Sequence, residues 1–212
     1  MNVFTELFDR LRDLPALVQW AGYVGMFAII FTETGLFFGF FLPGDSLLVT
    51  AGLLISQGLP LDLVTLGSLL TFAAVAGDTL SYWIGRTSGP RLFAREDSLL
   101  FKRKHLLRAA EFYEKHGAKT IVLARFMPIV RTFAPVVAGA AAMNYRRFWI
   151  YNLFGGVLWI WSMLLTGYFL GSRFPAVGKH LEKVILIVIF LSILPGIIAW
   201  LRERRATQRP AN

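Results

Sequence analysis

Apolar segments separated by short polar breaks cover most of the chain, and their lengths are close to those that a bilayer imposes. A helix needs about 20 apolar residues to cross the hydrocarbon core. Together these segments predict an integral membrane protein, although not all of them can cross as simple helices. They are Trp20–Leu42, Ser46–Leu59, Leu61–Ile84, Lys119–Met143, Phe148–Leu170 and Leu181–Leu201.

Two of the segments are short or interrupted. Ser46–Leu59 would extend only about 21 Å as a helix, against a hydrocarbon core of about 30 Å. Lys119–Met143 is interrupted by Pro128, Arg131 and Pro135, which leaves helical legs of about 10 residues, each near half a bilayer. The pattern predicts two re-entrant hairpins, with tips buried in protein or facing water. The residues expected to shape those tips are Pro43, Gly44, Pro128 and Pro135.

The two halves of the chain resemble each other. Ala51-Gly52 recur 87 positions later as Ala138-Gly139, and Tyr82 recurs 86 positions later as Tyr168. The alternative is chance similarity between two apolar segments rich in glycine and alanine. A hairpin followed by one crossing ends on the opposite side of the membrane, so the second copy would be inverted, as in many transporters.

The predicted fold is therefore an all-α integral membrane protein. It is an inverted repeat of a re-entrant helical hairpin plus a transmembrane helix, with an extra C-terminal transmembrane helix. The expected segments are an N-terminal amphipathic helix (1–18), repeat 1 (20–84), a cytoplasmic amphipathic linker (85–117), repeat 2 (118–171) and the C-terminal span (181–201).

Composition and charge support a membrane location. The 212 residues are 56% hydrophobic, contain no cysteine and carry a net charge of +9, which is more apolar than a typical soluble domain. The basic residues border the apolar segments, mainly in 86–119 and 202–209. This placement follows the positive-inside rule and favours a cytoplasmic C-terminus over nucleic-acid binding. Nothing in the sequence predicts a metal or another cofactor, and a homo-oligomer is possible.

Four ionisable residues lie within or beside the broken segments. Glu33 and Asp45 belong to the first predicted hairpin, and Arg125 and Arg131 belong to the second. Charges at membrane depth are costly and usually mark a substrate or ion route. Arginine presents a planar fork suited to phosphate, and carboxylates removed from water can carry protons. The structural alternative is two buried ion pairs that hold the hairpins together.

Other polar residues in the spans give weaker signals. Asp78 lies late in an apolar segment, where it either supports the site or hydrogen-bonds to a neighbouring helix. Asn152 lies among aromatic residues, including Trp149 and Trp159, which favours interfacial anchoring of that segment.

Three ordered motifs resemble the DedA family, also called SNARE-associated or VTT-domain proteins. They are "FTETGLFFGFFLPGDSLL", "GDTLSYWIGRTSG" and "ARFMPIVRTFAPVVAGAAAMNYRRFWIYNLFGGVLW". The resemblance implies a protein of the bacterial inner membrane that translocates undecaprenyl phosphate, with proton coupling. It also implies a functional role for Glu33, Asp45, Arg125 and Arg131, while Asp78 and Arg86 match a motif of less defined role.

Three classes of function stay open on the sequence. The first is translocation of a lipid phosphate, with general phospholipid scrambling as a variant that eukaryotic relatives suggest. The second is proton-coupled exchange of small ions or cationic compounds, in which the carboxylates bind the substrate. The third, an intramembrane enzyme, has no support because no apolar span contains a His, a Cys or a carboxylate cluster suited to hydrolysis.

The charge distribution leads to a prediction about topology. Single cysteines introduced at Ser98 and Thr207 of this cysteine-free chain should be protected from a membrane-impermeant thiol reagent in intact cells. They should react after the cells are opened, because both positions lie in basic segments expected in the cytoplasm. Labelling of either position in intact cells would reverse the predicted orientation.

Overall fold

The computed structural model describes residues 13–36, 43–94 and 119–174, and these ranges are helical apart from short turns. The all-helical prediction is therefore confirmed for this part of the chain. Residues 1–12, the linker residues 95–118 and the predicted C-terminal span 181–201 lie outside the described residues. The helices are α1 (Leu14–Gly35), α2 (Gly44–Ser56), α3 (Leu63–Ala94), α4 (Lys119–Ala124), α5 (Pro128–Ala140) and α6 (Tyr145–Arg173).

Three of these helices are long and apolar enough to cross a membrane: α1, α3 over Leu63–Gly89, and α6. At 1.5 Å per residue, the 29 residues of α6 extend about 44 Å. Large apolar side chains on these helices face outward, and Val24, Phe72 and Phe154 are 82%, 65% and 61% exposed. Such exposed apolar surface is suited to contact with lipid.

Helix α1 begins at Leu14, before the boundary predicted at residue 18. The Asp13 side chain accepts a hydrogen bond from the Ala16 N–H and caps the helix, and a proline lies in the first turn. Gly22 interrupts the helical backbone with φ of +52°, a conformation that glycine adopts readily. Just after this kink, the Tyr23 hydroxyl accepts a hydrogen bond from the Asp62 N–H at 2.7 Å.

Helices α2 and α5 are the short apolar elements. Each contains 13 residues, or about 20 Å, which is too short to cross the hydrocarbon core. The chain turns between α4 and α5 at Arg125–Met127, and Pro128 then opens α5. Pro135, expected to interrupt this segment, instead lies inside α5. A proline removes one intrahelical hydrogen bond, and here the helix continues to Ala140 despite that loss.

The short helix of each half packs against the long helix of the other half. A Cβ built on Gly52 of α2 would lie 2.0 Å from the Leu164 carbonyl oxygen of α6. A Cβ built on Gly139 of α5 would lie 2.0 Å from the Tyr82 carbonyl oxygen of α3. These two glycines stand at matching positions, 87 residues apart, so glycine permits the same close backbone approach in both halves.

Close packing of α1 on α3 sets the position of the first carboxylate. The Ser81 hydroxyl lies 3.0 Å from the Thr34 carbonyl oxygen and 2.8 Å from that of Gly35, within donating distance of both. A Cβ at Gly77 would lie 2.8 Å from the Phe31 carbonyl oxygen and 2.9 Å from the Gly35 nitrogen, so glycine is needed there. This contact places the last turn of α1, which carries Glu33, against the turn of α3 that carries Asp78.

Candidate functional site

Arg131, in the first turns of α5, connects three helices. One of its terminal N–H groups forms an ion pair with Glu33 of α1, and the other lies 2.6 Å from Asp45 Oδ1 of α2. Helices α1 and α2 are thus tied to α5 through a single guanidinium group. Both contacts are charge-assisted hydrogen bonds, the stronger class in proteins.

Glu33 is enclosed by the start of α2. Its side chain is fully buried, and a Cβ at Gly44 would lie 1.8 Å from Glu33 Oε2. A larger residue at position 44 would displace this carboxylate from its contact with Arg131. Pro43 is the residue that precedes the first turn of α2, where the partial positive charge of a helix N-terminus favours the carboxylate of Asp45.

Arg125 forms the second centre, in the turn between α4 and α5. Its guanidinium group pairs with Asp78 of α3 and donates to the side-chain oxygen of Asn152 in α6. The Asn152 amide in turn donates to the Val75 carbonyl oxygen at 3.1 Å, which fixes its orientation. A Cβ at Gly155 would lie 3.0 Å from Arg125 Cδ, so this glycine leaves space for the arginine.

Trp159 lies between the two arginine centres. Its ring is fully buried, with its centroid 4.8 Å from Arg131 Cζ and 5.9 Å from Arg125 Cζ. Both distances permit cation–π attraction. The indole N–H donates to Asp45 Oδ1 at 2.8 Å, so the same oxygen accepts from Arg131 and from Trp159.

The charged cluster comprises Glu33, Asp45, Asp78, Arg125 and Arg131. With every group ionised, three carboxylates face two guanidinium groups. Within the described residues, the buried Nε–H groups of Arg125 and Arg131 have no hydrogen-bond acceptor, and the buried Glu33 Oε2 has no donor. No group of His, Cys, Asp or Glu in that part of the chain is arranged to hold a metal ion. The chemistry present in the cluster is thus two guanidinium groups with spare donors and three carboxylates that can be protonated.

Comparison with known proteins shows the family to which this chain belongs. The model of the VTT domain matches residues 42–169. The DedA protein of Escherichia coli K12 is 47% identical over 203 residues, which cover 95% of this chain and 92% of that protein. The chain belongs to the DedA family. No solved structure matches it significantly.

Two further relatives of this DedA-family chain are named as membrane proteins. The inner membrane protein YghB of Escherichia coli K12 is 39% identical over 188 residues, covering 89% of this chain and 83% of that protein. An uncharacterized membrane protein of Mycobacterium leprae is 44% identical over 201 residues, covering 91% of this chain and 89% of its own length.

In this DedA-family protein, the site residues predicted from the sequence do not form a single group. Glu33, Asp45 and Arg131 come together, whereas Arg125 pairs with Asp78 instead of with Glu33 or Asp45. Arg86 is exposed, two turns beyond Asp78 along α3, and its contact is with the Tyr82 hydroxyl at 3.4 Å.

Sequence reasoning assigned Trp159 to the membrane interface and gave Asn152 no part in the site. The anchoring interpretation of Trp159 is wrong, because both side chains are buried beside the arginines. Helical spacing holds a signal that would have found them. Asn152, Gly155, Gly156 and Trp159 are spaced i, i+3, i+4 and i+7, so they share one face of α6.

Because Asp78 is a buried partner of Arg125, Asp78→Asn should lower the free energy of unfolding by about 3 kcal/mol. This is the lower end for breaking a buried ion pair, since Asn152 still accepts from the arginine. The double variant Asp78→Asn with Arg125→Gln should recover most of the loss. Unfolding in detergent would measure both, with the exposed Arg86→Gln as the control. A single variant as stable as Arg86→Gln would contradict the pairing.

Proposed function

We propose that this DedA-family protein translocates a polyprenyl lipid phosphate, of the undecaprenyl phosphate type, across the bacterial inner membrane for carrier recycling, coupled to protons. The observation that carries the proposal is the pair of buried arginines that retain Nε–H donors without an acceptor among the described residues. A phosphate has several oxygens that could take up such donors.

The chemistry of the cluster suits a phosphate headgroup. Guanidinium groups bind phosphate through two parallel hydrogen bonds and keep their positive charge inside a protein. Asp45 and Arg131 lie in the first turns of α2 and α5, and the N-termini of both helices add partial positive charge. A headgroup entering here would meet fixed donors, while its tail stays among the exposed apolar side chains.

Charge balance supports proton coupling. The fully ionised cluster carries a formal charge of −1, because Glu33, Asp45 and Asp78 outnumber Arg125 and Arg131. A phosphate anion would raise the negative charge further in a medium of low dielectric constant, which is unfavourable. Uptake of a proton by a carboxylate offsets that charge. The proposal assigns this proton to Glu33 or Asp45, which share Arg131.

The short helices support an alternating-access architecture. Helices α2 and α5 are too short to span, and each packs on the long helix of the other half. The proposed arrangement is two inverted repeats whose re-entrant hairpins meet at the charged cluster, with the C-terminus in the cytoplasm. Transporters of this kind bind substrate between broken helices near the bilayer midplane.

The same excess of carboxylates favours one alternative. A site with three carboxylates and two guanidinium groups also suits a cation, as in a proton-coupled exchanger of small ions or cationic compounds. In that case, Arg125 and Arg131 would only neutralise their partners.

Reconstitution into liposomes tests the proposal directly. The purified protein should flip a fluorescent polyprenyl phosphate faster than protein-free vesicles do, and faster than it flips fluorescent phosphatidylcholine. Arg131→Lys should reduce the rate by about tenfold or more despite conserving charge, because lysine cannot form the bidentate contact. Equal flipping of phosphatidylcholine would indicate a scramblase, and absence of flipping by the wild type would favour the exchanger.

A charge-neutral variant separates phosphate binding from simple neutralisation. In Arg131→Gln with Glu33→Gln, the fully buried ion pair is replaced by two amides, and the partly exposed Asp45 keeps the Trp159 N–H, so the fold should survive. Phosphate flipping should stay lost, because the site no longer attracts an anion. A well-folded double variant with restored flipping would return Arg131 to a structural role.

Proton coupling predicts a pH-dependent rate that responds to an imposed proton gradient and to a protonophore. Glu33→Gln or Asp45→Asn should flatten this dependence, since an amide cannot take up the coupling proton. Flipping rates measured over a pH series for wild type and both variants would show this. The same pH profile in all three proteins would exclude these two carboxylates as proton carriers.

A further inference from the structure

The two carboxylates that hold Arg131 differ in their surroundings. The side chain of Glu33 is completely buried, while that of Asp45 is 12% exposed. Asp45 Oδ1 also accepts the Trp159 N–H at 2.8 Å, in addition to Arg131 Nη1 at 2.6 Å. Asp45 thus has a second donor already in place, on a different helix from Arg131.

This difference decides which carboxylate can leave the arginine. Glu33 is fully buried against the Gly44 backbone, 1.8 Å from the position that a Cβ would take there, so it has no exposed space into which it could move. Separated from Arg131, it would also be a buried charge that has lost its cationic partner, which is costly. Asp45 lies at the accessible edge, keeps the Trp159 N–H and sits at a helix N-terminus.

We propose that Asp45 is the carboxylate that an incoming phosphate displaces from Arg131, and that Trp159 is the positioning residue that holds Asp45 during the exchange. The inference rests on the proposed function and assigns separate roles to two carboxylates that the sequence treats alike. Glu33 is the permanent anchor of Arg131. Asp45 competes with the substrate phosphate for Arg131. The Trp159 N–H weakens this competition because it donates to the same Asp45 Oδ1 atom that accepts from Arg131.

Trp159→Phe removes the indole N–H and keeps an aromatic ring beside both arginines. Asp45 Oδ1 should then accept from Arg131 alone, and the KM for lipid-phosphate flipping should rise about tenfold while the maximal rate changes little. Tenfold corresponds to about 1.4 kcal/mol, near the low end for a hydrogen bond to a charged group.

A double-mutant cycle distinguishes exchange from general damage to packing. In an Asp45→Asn background the competitor is neutral, so adding Trp159→Phe should leave KM within about twofold. Loss of packing alone would give the same change in both backgrounds. The matched control is Trp161→Phe, on the same helix but packed beside Gly67, where KM should stay at the wild-type value.

A second substitution keeps the test valid if the smaller ring destabilises the core. Benzothienylalanine, introduced at position 159 by codon suppression, has a ring of tryptophan's shape with sulfur in place of the N–H. It should raise KM as Trp159→Phe does, with wild-type yield and unfolding temperature.

The outcomes separate this inference from the function on which it rests. Absence of flipping by the wild type overturns both. If the wild type flips the lipid but the benzothienylalanine protein has the same KM as the wild type, the exchange is overturned and the proposed function still stands. An equal KM increase with and without the Asp45→Asn substitution also overturns the exchange, whereas an increase confined to the protein that retains Asp45 supports it.

Discussion

Buried charged groups need partners, and in this protein that requirement organises the described helices. Arg131 ties α1, α2 and α5 together through Glu33 and Asp45. Arg125 ties the turn before α5 to α3 and α6 through Asp78 and Asn152. Leaving one of these buried charges without its partner would cost about 3–5 kcal/mol. The short helices, which cannot span the membrane, are thus held by the same contacts that form the candidate site.

Glycine makes those contacts possible by allowing backbones to approach. Gly44 permits α2 to begin against Glu33, and Gly155 leaves space for the Arg125 side chain. Gly52 and Gly139 let each short helix pack on the long helix of the other half. The packing of the helices and the geometry of the charged cluster therefore depend on the same glycines. A methyl side chain at several of these glycines would separate the helices that carry the charged residues.

For the described residues, sequence reasoning found the three candidate spans, the short helices and four of the five members of the charged cluster, because apolar length and charges within apolar segments are local signals. It gave the fifth, Asp78, only a supporting role, and it did not find how the charges pair. Phosphate-binding arginines and structural ion pairs look the same in a sequence, and Asp78 becomes the partner of Arg125 only through packing of α3 beside the α4–α5 turn.

Trp159 was assigned to the interface because aromatic composition outweighed its helical spacing from Asn152. Pro135 was expected to break a helix that tertiary contacts sustain.

Contact between a guanidinium group and the substrate phosphate is the central claim, and solid-state NMR can measure it in a bilayer. Protein with ¹⁵N-labelled arginine side chains, reconstituted with a polyprenyl phosphate, should show ³¹P–¹⁵N dipolar dephasing from direct hydrogen bonds. The Arg131→Lys protein should lose much of that dephasing. A wild-type protein that flips the lipid but shows no ³¹P–¹⁵N dephasing beyond that of Arg131→Lys would contradict the account.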